Sequence, residues 1–239
     1  MERIRRLGFR EEDAHVLAGH FVEAEERGRP GHGLARVDWL ETLDWLQPNA
    51  RPERVVAEEG FERWEARGTL GYLMLAAIVQ AQIASPPERA RVVVAAGCFP
   101  TGALGLWIRP LAQAGLCAWL TATSPARLAH PEGGPPLAGT NPLAIAVPSS
   151  DGKPLVADVS MGAVTYGDVL AGRATPEELV PFGGPLAHKA FSLAVGLEML
   201  VEALAGPGHG ALLVVVRPEA DPVPSLRALA NGRRLPGDR

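Results

Sequence analysis

The sequence predicts an α/β fold whose mixed sheet is not of the Rossmann type and has helices on its flanks. Short apolar runs rich in β-branched residues alternate with longer segments of helical period, which is the pattern of an α/β protein. The sequence contains neither the glycine fingerprint of a Rossmann unit nor a P-loop, and TGALG at 101–105 is a single weak match. A chain of 239 residues with 47% hydrophobic residues is long enough to bury one sizeable core.

The first half of the chain is predicted to be mainly helical. Residues 11–26 carry an apolar face at helical spacing, made of Ala14, Leu17, Ala18, Phe21 and Ala24. Glycines between 28 and 33 end this helix in a loop. The next predicted elements are a short helix over 37–46, an edge strand over 54–60 and an apolar helix over 68–85.

The second half is predicted to supply most of the sheet. Apolar runs predict strands over 90–97, 116–123, 143–148, 155–160 and 211–217. Helices are predicted over 110–114 and 185–205, with Gly206 near the C-cap of the longer one. The polar tail NGRRLPGDR, which begins at Asn231, is predicted to be loose.

Composition argues against several classes of function. The net charge of −4 argues against a nucleic-acid partner. No run approaches the roughly 20 apolar residues that span a bilayer, and the first residues lack the apolar core of a signal peptide. Cys98 and Cys117 lack metal or redox spacing, and His15 and His20 are too far apart on a helix to form a metal pair. We therefore expect a cytoplasmic protein with no membrane segment and no metal site.

His32 and Arg36 are candidates for acid–base chemistry and carboxylate binding. They lie four residues apart, about one helical turn, so both side chains can face one pocket. An imidazole transfers protons near neutral pH, and a guanidinium holds a carboxylate through two parallel hydrogen bonds. The alternative is a loop histidine beside a surface arginine.

Two later segments carry further candidates. Asp158 ends an apolar strand, where a carboxylate can enter a crevice and orient an imidazole, although a turn-forming aspartate is the alternative. Gly183 and Gly184 precede a predicted helix whose first turn holds His188 and Lys189. A lysine at a helix N-terminus favours a bound anion, although an exposed lysine without a ligand is the alternative.

The order of these segments resembles the type 2 malate/L-lactate dehydrogenase family, which includes ureidoglycolate, sulfolactate and piperideine-carboxylate oxidoreductases. The resemblance extends from about residue 7 to residue 237. It is carried by the His-Gly-x-x-Arg loop, GTLGYLMLAAIVQA, GTNPLAIAVP, the strand that ends in aspartate, and Gly-Gly-x4-Lys at the start of the long helix. GTNPLAIAVP is the most specific of these motifs, and the closing LPGD is similar to the family's Pro-Gly-acid signature.

The resemblance implies a fold distinct from the Rossmann dehydrogenases and a dimeric NAD- or NADP-dependent oxidoreductase. Its substrate would be a small 2-oxo acid, 2-hydroxy acid or cyclic imino acid. His32 would be the acid/base, Asp158 would steady its imidazole, and Arg36 would clamp the substrate carboxylate. Thr140 and Asn141 would lie along the substrate. The expected cofactor-binding residues are Ser124, Gly183, Gly184, His188 and Lys189.

The domain organisation expected is a single α/β unit over 1–239. An alternative division has a helical lobe, formed by 1–67 with 170–239, and a sheet-rich cofactor lobe over 68–169.

Several positions depart from the family pattern. AAGCFPTGALG replaces the family's Ser-Asn-His-Phe-Gly segment, Ser124 stands where asparagine is expected, and Gly31 replaces the serine before the His-Gly pair. Relative to the family pattern, the chain lacks about a hundred residues. Much of this loss is expected between 166 and 182, and the C-terminal helix is also expected to be missing. Two other hypotheses follow: a catalytically degenerate member that binds a small acid or a protein, and a purely structural dimer built on the helix at 68–85.

Overall fold

The computed structural model describes residues 1–238 and confirms the mixed α/β architecture. Its α-helices are α1 (Glu2–Arg6), α2 (Glu11–Glu26), α3 (Ala35–Leu40), α4 (Gly71–Ala84), α5 (Leu104–Gln113), α6 (Tyr166–Leu170), α7 (Ala187–Ala205) and α8 (Val223–Ala230). Its strands are β1 (Glu53–Ala57), β2 (Phe61–Glu65), β3 (Ala90–Ala96), β4 (Cys117–Ala122), β5 (Leu128–Ala129), β6 (Pro136–Ala138), β7 (Leu143–Val147), β8 (Leu155–Val159) and β9 (Gly210–Val216). Short 3₁₀ turns lie at Pro30–His32, Pro176–Glu178 and Gly184–Leu186.

One sheet organises the molecule. Its seven strands follow the order β1-β2-β3-β9-β4-β7-β8, and β5 pairs with β6 in a separate two-stranded sheet. β2 and β3 run parallel, whereas the other neighbouring strands of the large sheet run antiparallel. The sheet takes β1, β2 and β9 from the predicted helical lobe and the other strands from the predicted cofactor lobe. One sheet thus contains strands from both predicted lobes.

Helices cover both faces of this sheet. α4 and α5 pack on one face, where they meet strand residues such as Val93, Leu120 and Leu213. α7 packs on the other face, where Val201 contacts the cluster that contains Leu212. The β-branched strands predicted from the sequence are therefore buried between two helical layers, as an α/β fold requires.

The helix α2 follows the sequence prediction along its whole length. Its first turn carries Glu11, Glu12 and Asp13, which complement the positive end of the helix dipole. Its apolar face is buried against the rest of the core at Leu17 and Phe21. The helix ends at Glu26, just before the Gly28–Gly33 segment, so its end fixes where the loop that carries His32 begins.

The boundaries of α5 correct the sequence prediction. We predicted a helix over 110–114, but α5 begins at Leu104, and Pro110 lies inside it. The buried side chains of Leu104, Ile108 and Leu111 explain the difference, because they hold one apolar face of the helix against the sheet. The N-terminus of α5 consequently lies near the carboxyl end of β8.

The polar tail is also ordered where the structure describes it. Val156 in β8 donates a backbone hydrogen bond to the carbonyl oxygen of Pro236 (3.1 Å). Arg227 pairs with Asp238 at 2.8 Å, and this arginine lies in α8, which the sequence did not predict. The prediction of a loose tail was therefore wrong for 231–238.

Apolar side chains remain exposed on the outer side of α7 and the adjoining sheet. Leu193 and Met199 on the helix are 51% and 52% exposed, and Ile145 on β7 is 43% exposed. A shallow apolar groove of about 430 Å³ runs between Ile145, Leu197 and Val216. Among the described residues, no helix combines the length and the apolar character needed to cross a membrane.

Candidate active site

Four of the predicted site residues line one cavity of about 240 Å³, which we call the imidazole cavity. These residues are His32, Arg36, Ser124 and Thr140. His32 ends a 3₁₀ turn, and Arg36 lies in the first turn of α3. The aromatic lining consists of Trp39, Trp45, Tyr72, Phe99 and Tyr166. The cavity therefore offers one imidazole and a guanidinium within an apolar wall, which is the usual composition of a small-ligand pocket.

A second guanidinium lines the same cavity and was not predicted. The Cζ atom of Arg127 lies 3.3 Å from the centre of the Tyr166 ring, and Arg36 lies 5.4 Å from the Trp39 ring. Each arginine is thus stacked on an aromatic side chain. Arg36 is fixed further because its Nε donates to the Gly31 carbonyl oxygen at 2.9 Å. Nothing in the local sequence around Arg127 distinguishes it from a surface arginine.

The environment of His32 favours the neutral imidazole. Burial, together with the positive charges of Arg36 and Arg29, lowers the pKa of His32 to about 3, and the negative charge of Asp168 opposes this shift. Its Nδ1 atom is buried and has no hydrogen-bond partner within the described residues. A buried ring nitrogen without a partner is costly in a purely structural histidine, so this atom points to an interaction completed by a ligand or by a small movement.

Asp158 reaches the same region but is held by other partners. It lines a second cavity of about 220 Å³ together with His32. Its Oδ2 accepts a hydrogen bond from the Gly105 backbone N–H at 3.0 Å and lies 3.2 Å from Arg29 Nη1. Burial raises the pKa of Asp158, and these two contacts oppose the rise. The fold thus brings His32 and Asp158 to one cavity, 126 residues apart in sequence, with the carboxylate turned to Arg29 and the start of α5.

Asp168 is the acid whose charge acts on His32, and sequence reasoning missed it. It lies in the first turn of α6 and lines the 220 Å³ cavity with His32. Thr165 Oγ1 donates to its Oδ2 at 2.6 Å, and Arg173 donates to its Oδ1 from Nε and Nη2 at 3.1 and 3.0 Å. Although burial opposes the shift, these hydrogen bonds lower the pKa of Asp168. The available signal was the Thr-x-x-Asp spacing of a capping box in TYGD.

Asn141 occupies a structural position behind the cavity. It is fully buried, with a φ of +21°. Its Nδ2 donates to the Ala194 carbonyl oxygen (2.9 Å) and to Glu198 Oε2 (2.6 Å), and its Oδ1 accepts from the Ser124 backbone N–H at 3.3 Å. Asn141 therefore ties the GTNP segment to α7 and orients Thr140 and Ser124, but it does not line the imidazole cavity.

The predicted cofactor residues at the start of α7 lie elsewhere. Gly183, Gly184, His188 and Lys189 are exposed, and they line neither the imidazole cavity nor the neighbouring 220 Å³ cavity. Gly183 and Gly184 have φ angles of +108° and +54°, which glycine adopts most readily and which turn the chain into the 3₁₀ turn before α7. Within the described residues, no group of three or more His, Cys, Asp or Glu side chains is arranged to hold a metal ion.

A larger cleft of about 660 Å³ opens beside Asp158, and we call it the arginine cleft. Its ionisable residues are Arg27, Arg29, Arg109 and Arg234 against Glu26, Asp158 and Asp238. The ordered tail forms one wall, since Arg109 Nη2 donates to the Gly237 carbonyl oxygen at 3.0 Å. Four arginines against three acids give the cleft an excess of positive charge. This cleft could not be predicted from the sequence, because its residues come from four distant segments.

The three cavities lie next to one another, because neighbouring cavities share lining residues. The arginine cleft shares Gly28, Arg29 and Asp158 with the 220 Å³ cavity. That cavity in turn shares His32, Ser160 and Thr165, among others, with the imidazole cavity. An elongated ligand with an anionic end and a planar end would therefore place its anionic part among the arginines and its planar part near His32.

Comparison with known proteins identifies the family. A family model described as malate/L-lactate dehydrogenase matches residues 1–178. The chain is 31% identical to a Delta(1)-pyrroline-2-carboxylate/Delta(1)-piperideine-2-carboxylate reductase of Pseudomonas putida over 236 residues, covering 86% of this chain and 67% of that protein. It is also 31% identical to a (2R)-3-sulfolactate dehydrogenase (NADP(+)) of Chromohalobacter salexigens, covering 83% and 67% of the two chains.

A solved structure agrees with this result. The delta1-piperideine-2-carboxylate reductase of Pseudomonas syringae pvar. tomato superposes with a TM-score of 0.84 at 26% identity, covering 99% of this chain and 89% of that one. These relatives are oxidoreductases, so the alternative of a catalytically degenerate binding module is not favoured. The match of the family model over 178 residues, with the predicted fold, shows that the chain belongs to the malate/L-lactate dehydrogenase family.

Proposed function

We propose that this protein is an NAD(P)-dependent oxidoreductase that acts on a small 2-oxo or 2-hydroxy acid or on a cyclic imino acid. The observation that carries this proposal is the convergence of His32 and Arg36 in one cavity, with the arginine cleft beyond a third cavity that shares lining residues with both. The cavity of about 240 Å³ favours a small substrate, and its guanidinium groups favour a carboxylate.

The arginine cleft fits the diphosphate of a dinucleotide. Arg29, Arg109 and Arg234 supply positive charge, and the N-terminus of α5 adds oriented backbone N–H groups. Ser124, in the imidazole cavity, would lie toward the nicotinamide end. Lys189, exposed at the start of α7, stays a proposed cofactor ligand together with its neighbours. Bound NADH or NADPH supplies the hydride for reduction, and the oxidised form accepts it in the reverse reaction.

His32 carries the proton in this proposal. Its neutral form accepts the hydroxyl proton when a 2-hydroxy acid is oxidised, and its protonated form donates to the carbonyl oxygen or imine nitrogen in the reverse direction. A carboxylate bound to Arg36 offsets one of the positive charges that lower the pKa of His32, so substrate binding raises that pKa. The acid that we propose to support the imidazolium is Asp168, while Asp158 holds Arg29 at the mouth of the arginine cleft.

Binding and turnover test this function separately. NADH and NADPH are titrated by fluorescence, and oxidation is then followed with pyruvate, other 2-oxo acids and Δ1-piperideine-2-carboxylate. We expect His32→Ala to lower turnover about a hundredfold or more without changing the circular dichroism spectrum. We expect Arg234→Gln to weaken dinucleotide binding about tenfold through loss of a charge-assisted hydrogen bond. Unchanged turnover in His32→Ala would exclude the proposed acid/base.

We further propose that the protein is a cytoplasmic homodimer. The exposed apolar side chains of Ile145, Leu193 and Met199 support a second copy of the chain on this face, because large apolar patches usually mark interfaces. Both cysteines are free thiols, which is typical of a reducing compartment. Light scattering of the wild type and of Ile145→Glu tests the dimer: a monomeric wild type would refute it.

A further inference from the structure

The space beside Gly31, the residue before His32, is filled by the side chains of Thr165 and Asp168. Gly31 stands where the family pattern has serine, and a Cβ atom at this position would lie 2.4 Å from Thr165 Oγ1. The same atom would lie 2.9 and 3.0 Å from the two carboxylate oxygens of Asp168. The hydroxyl of Thr165 therefore occupies the volume into which a side chain at residue 31 would project.

The first turn of α6 packs directly against the segment that carries His32. A Cβ atom at Gly167 would come within 1.7 Å of the Gly31 carbonyl oxygen, so only glycine allows this approach. Thr165 and Asp168 form a reciprocal capping box: Thr165 Oγ1 donates to Asp168 Oδ2 (2.6 Å) and accepts from the Asp168 backbone N–H (3.2 Å). Thr165 thus fixes both the backbone and the carboxylate of Asp168 beside His32.

We propose that Thr165 is a positioning residue for the acid–base pair, and that its hydroxyl takes the place of the serine missing at residue 31. This inference rests on the proposed function, because it assigns a role within the same site. Thr165 acts on the reaction through Asp168 and His32. It accounts for how this chain keeps a hydroxyl beside residue 31 although that residue has no side chain.

Titratable and charged groups surround His32 from six segments. They are His20 in α2, Arg29 in the preceding loop, Arg36 in α3, Arg127 just before β5, Asp158 in β8 and Asp168 in α6. Among the charges that act on His32, only that of Asp168 raises its pKa. Any change that releases the Asp168 carboxylate from its present position therefore removes the one charge that raises the pKa of His32.

Thr165→Val removes the hydroxyl and keeps the shape of the side chain. We expect kcat with NADPH and Δ1-piperideine-2-carboxylate to fall about tenfold to a hundredfold, because the acid is misplaced, while KM and the NADPH dissociation constant change little. Thr165→Ser keeps the hydroxyl and should retain wild-type kcat. Thr175→Val is the matched control, because Thr175 forms a second capping box with Glu178 and lines none of the three cavities.

A reciprocal exchange gives the decisive comparison. Gly31→Ser alone should be unstable and inactive, because its Cβ meets the Thr165 hydroxyl and the Asp168 carboxylate. In Gly31→Ser with Thr165→Ala, the carboxylate is released from the Thr165 hydroxyl and is free to shift and accept a hydrogen bond from the new serine, so kcat should exceed that of Thr165→Ala. An exchange variant no more active than Thr165→Ala would overturn the inference. So would a Thr165→Val variant with wild-type kcat.

A spectroscopic measurement separates this inference from the proposed function. The ¹⁵N resonances of the His32 ring at neutral pH should move in Thr165→Val and return in Thr165→Ser, with no change in Thr175→Val. If no acid is turned over by the wild type, the proposed function fails, and these resonances alone decide the inference. Unmoved resonances in Thr165→Val would refute it.

Discussion

Replacing Arg36 by Gln should change substrate binding and proton transfer in different ways. The substitution removes the guanidinium that we propose to hold the substrate carboxylate. A hydrogen bond to a charged group contributes about 1.5–3 kcal/mol, and 1.4 kcal/mol corresponds to a factor of ten, so kcat/KM should fall about tenfold to 150-fold. The dissociation constant of NADPH should stay unchanged, because Arg36 lines the imidazole cavity and not the arginine cleft.

The same substitution should raise the pKa of His32. After burial, the charge of Arg36 is the largest factor that lowers this pKa to about 3. Its removal moves the pKa upward, although burial keeps it below the ordinary value of 6.5. Oxidation of a 2-hydroxy acid needs neutral His32, so its rate falls as pH falls through the pKa of His32. In the wild type, kcat/KM for oxidation should therefore show no decrease caused by protonation of His32 above about pH 5. In Arg36→Gln, this decrease should move to higher pH, into the measurable range.

Two further variants and two readouts make this prediction refutable. Arg36→Lys keeps the charge but loses the Nε bond to the Gly31 carbonyl oxygen, so it should raise KM while leaving the pKa of His32 low. Arg89→Gln removes an arginine that is 85% exposed and should change neither quantity. The measurements are kcat/KM between about pH 5 and pH 9 and a titration of the His32 ring by NMR. An unchanged kcat/KM in Arg36→Gln would remove Arg36 from the carboxylate site.

Two more predictions concern stability. The pKa values of His20 and His32 are both lowered to about 3, first by burial, so the unfolded state binds more protons below pH 6.5. The contribution of these two neutral histidines to the free energy of unfolding is therefore fully present above pH 6.5. It falls toward pH 3 by up to about 1.4 kcal/mol per pH unit for each histidine. Urea unfolding at several pH values measures this free energy, and a value that does not change with pH would contradict the prediction. Gly167→Ala should destabilise by about 3 kcal/mol and abolish activity, because its Cβ meets the Gly31 carbonyl oxygen; Gly196→Ala, with nothing within 4 Å, is the control that should be neutral or stabilising.

The sequence predicted the framework of the fold because burial leaves a direct mark on apolar patterns. α2 was predicted with its observed ends, the strands β3, β4, β7 and β8 lie within the predicted runs, and β9 begins one residue before its predicted run. The elements that were missed are short or depend on neighbours. β2 is stabilised at Glu62 by buried contacts with Trp64 and Gln82, and α6 has only five residues. Neither has enough periodic residues to stand out from a loop.

The candidate site was predicted only where chemistry and local spacing coincide. His32 and Arg36 are four residues apart and were found together, and Thr140 and Ser124 were placed through the family resemblance. Sequence spacing carries no information on how distant segments meet in the fold. The placement of Asp168, of Arg127 and of the residues of the arginine cleft depends on such meetings. Asp158 shows the limit most clearly: its position at the end of β8 was anticipated, but its partners, Arg29 and the start of α5, were not.

The approach of α6 to the His32 loop explains why Asp168, whose charge raises the pKa of His32, lies ten residues after Asp158, the acid expected from the sequence. Asp158 ends a strand, so its position follows the sheet and leads to the N-terminus of α5. Asp168 lies in a turn that packs closely against the His32 loop because the two residues at the contact, Gly31 and Gly167, have no Cβ atom. Strand ends are predictable from hydrophobic runs, but a contact between two glycine backbones is not. The position of Asp168 near His32 therefore depends on two residues with no side chain, Gly31 and Gly167.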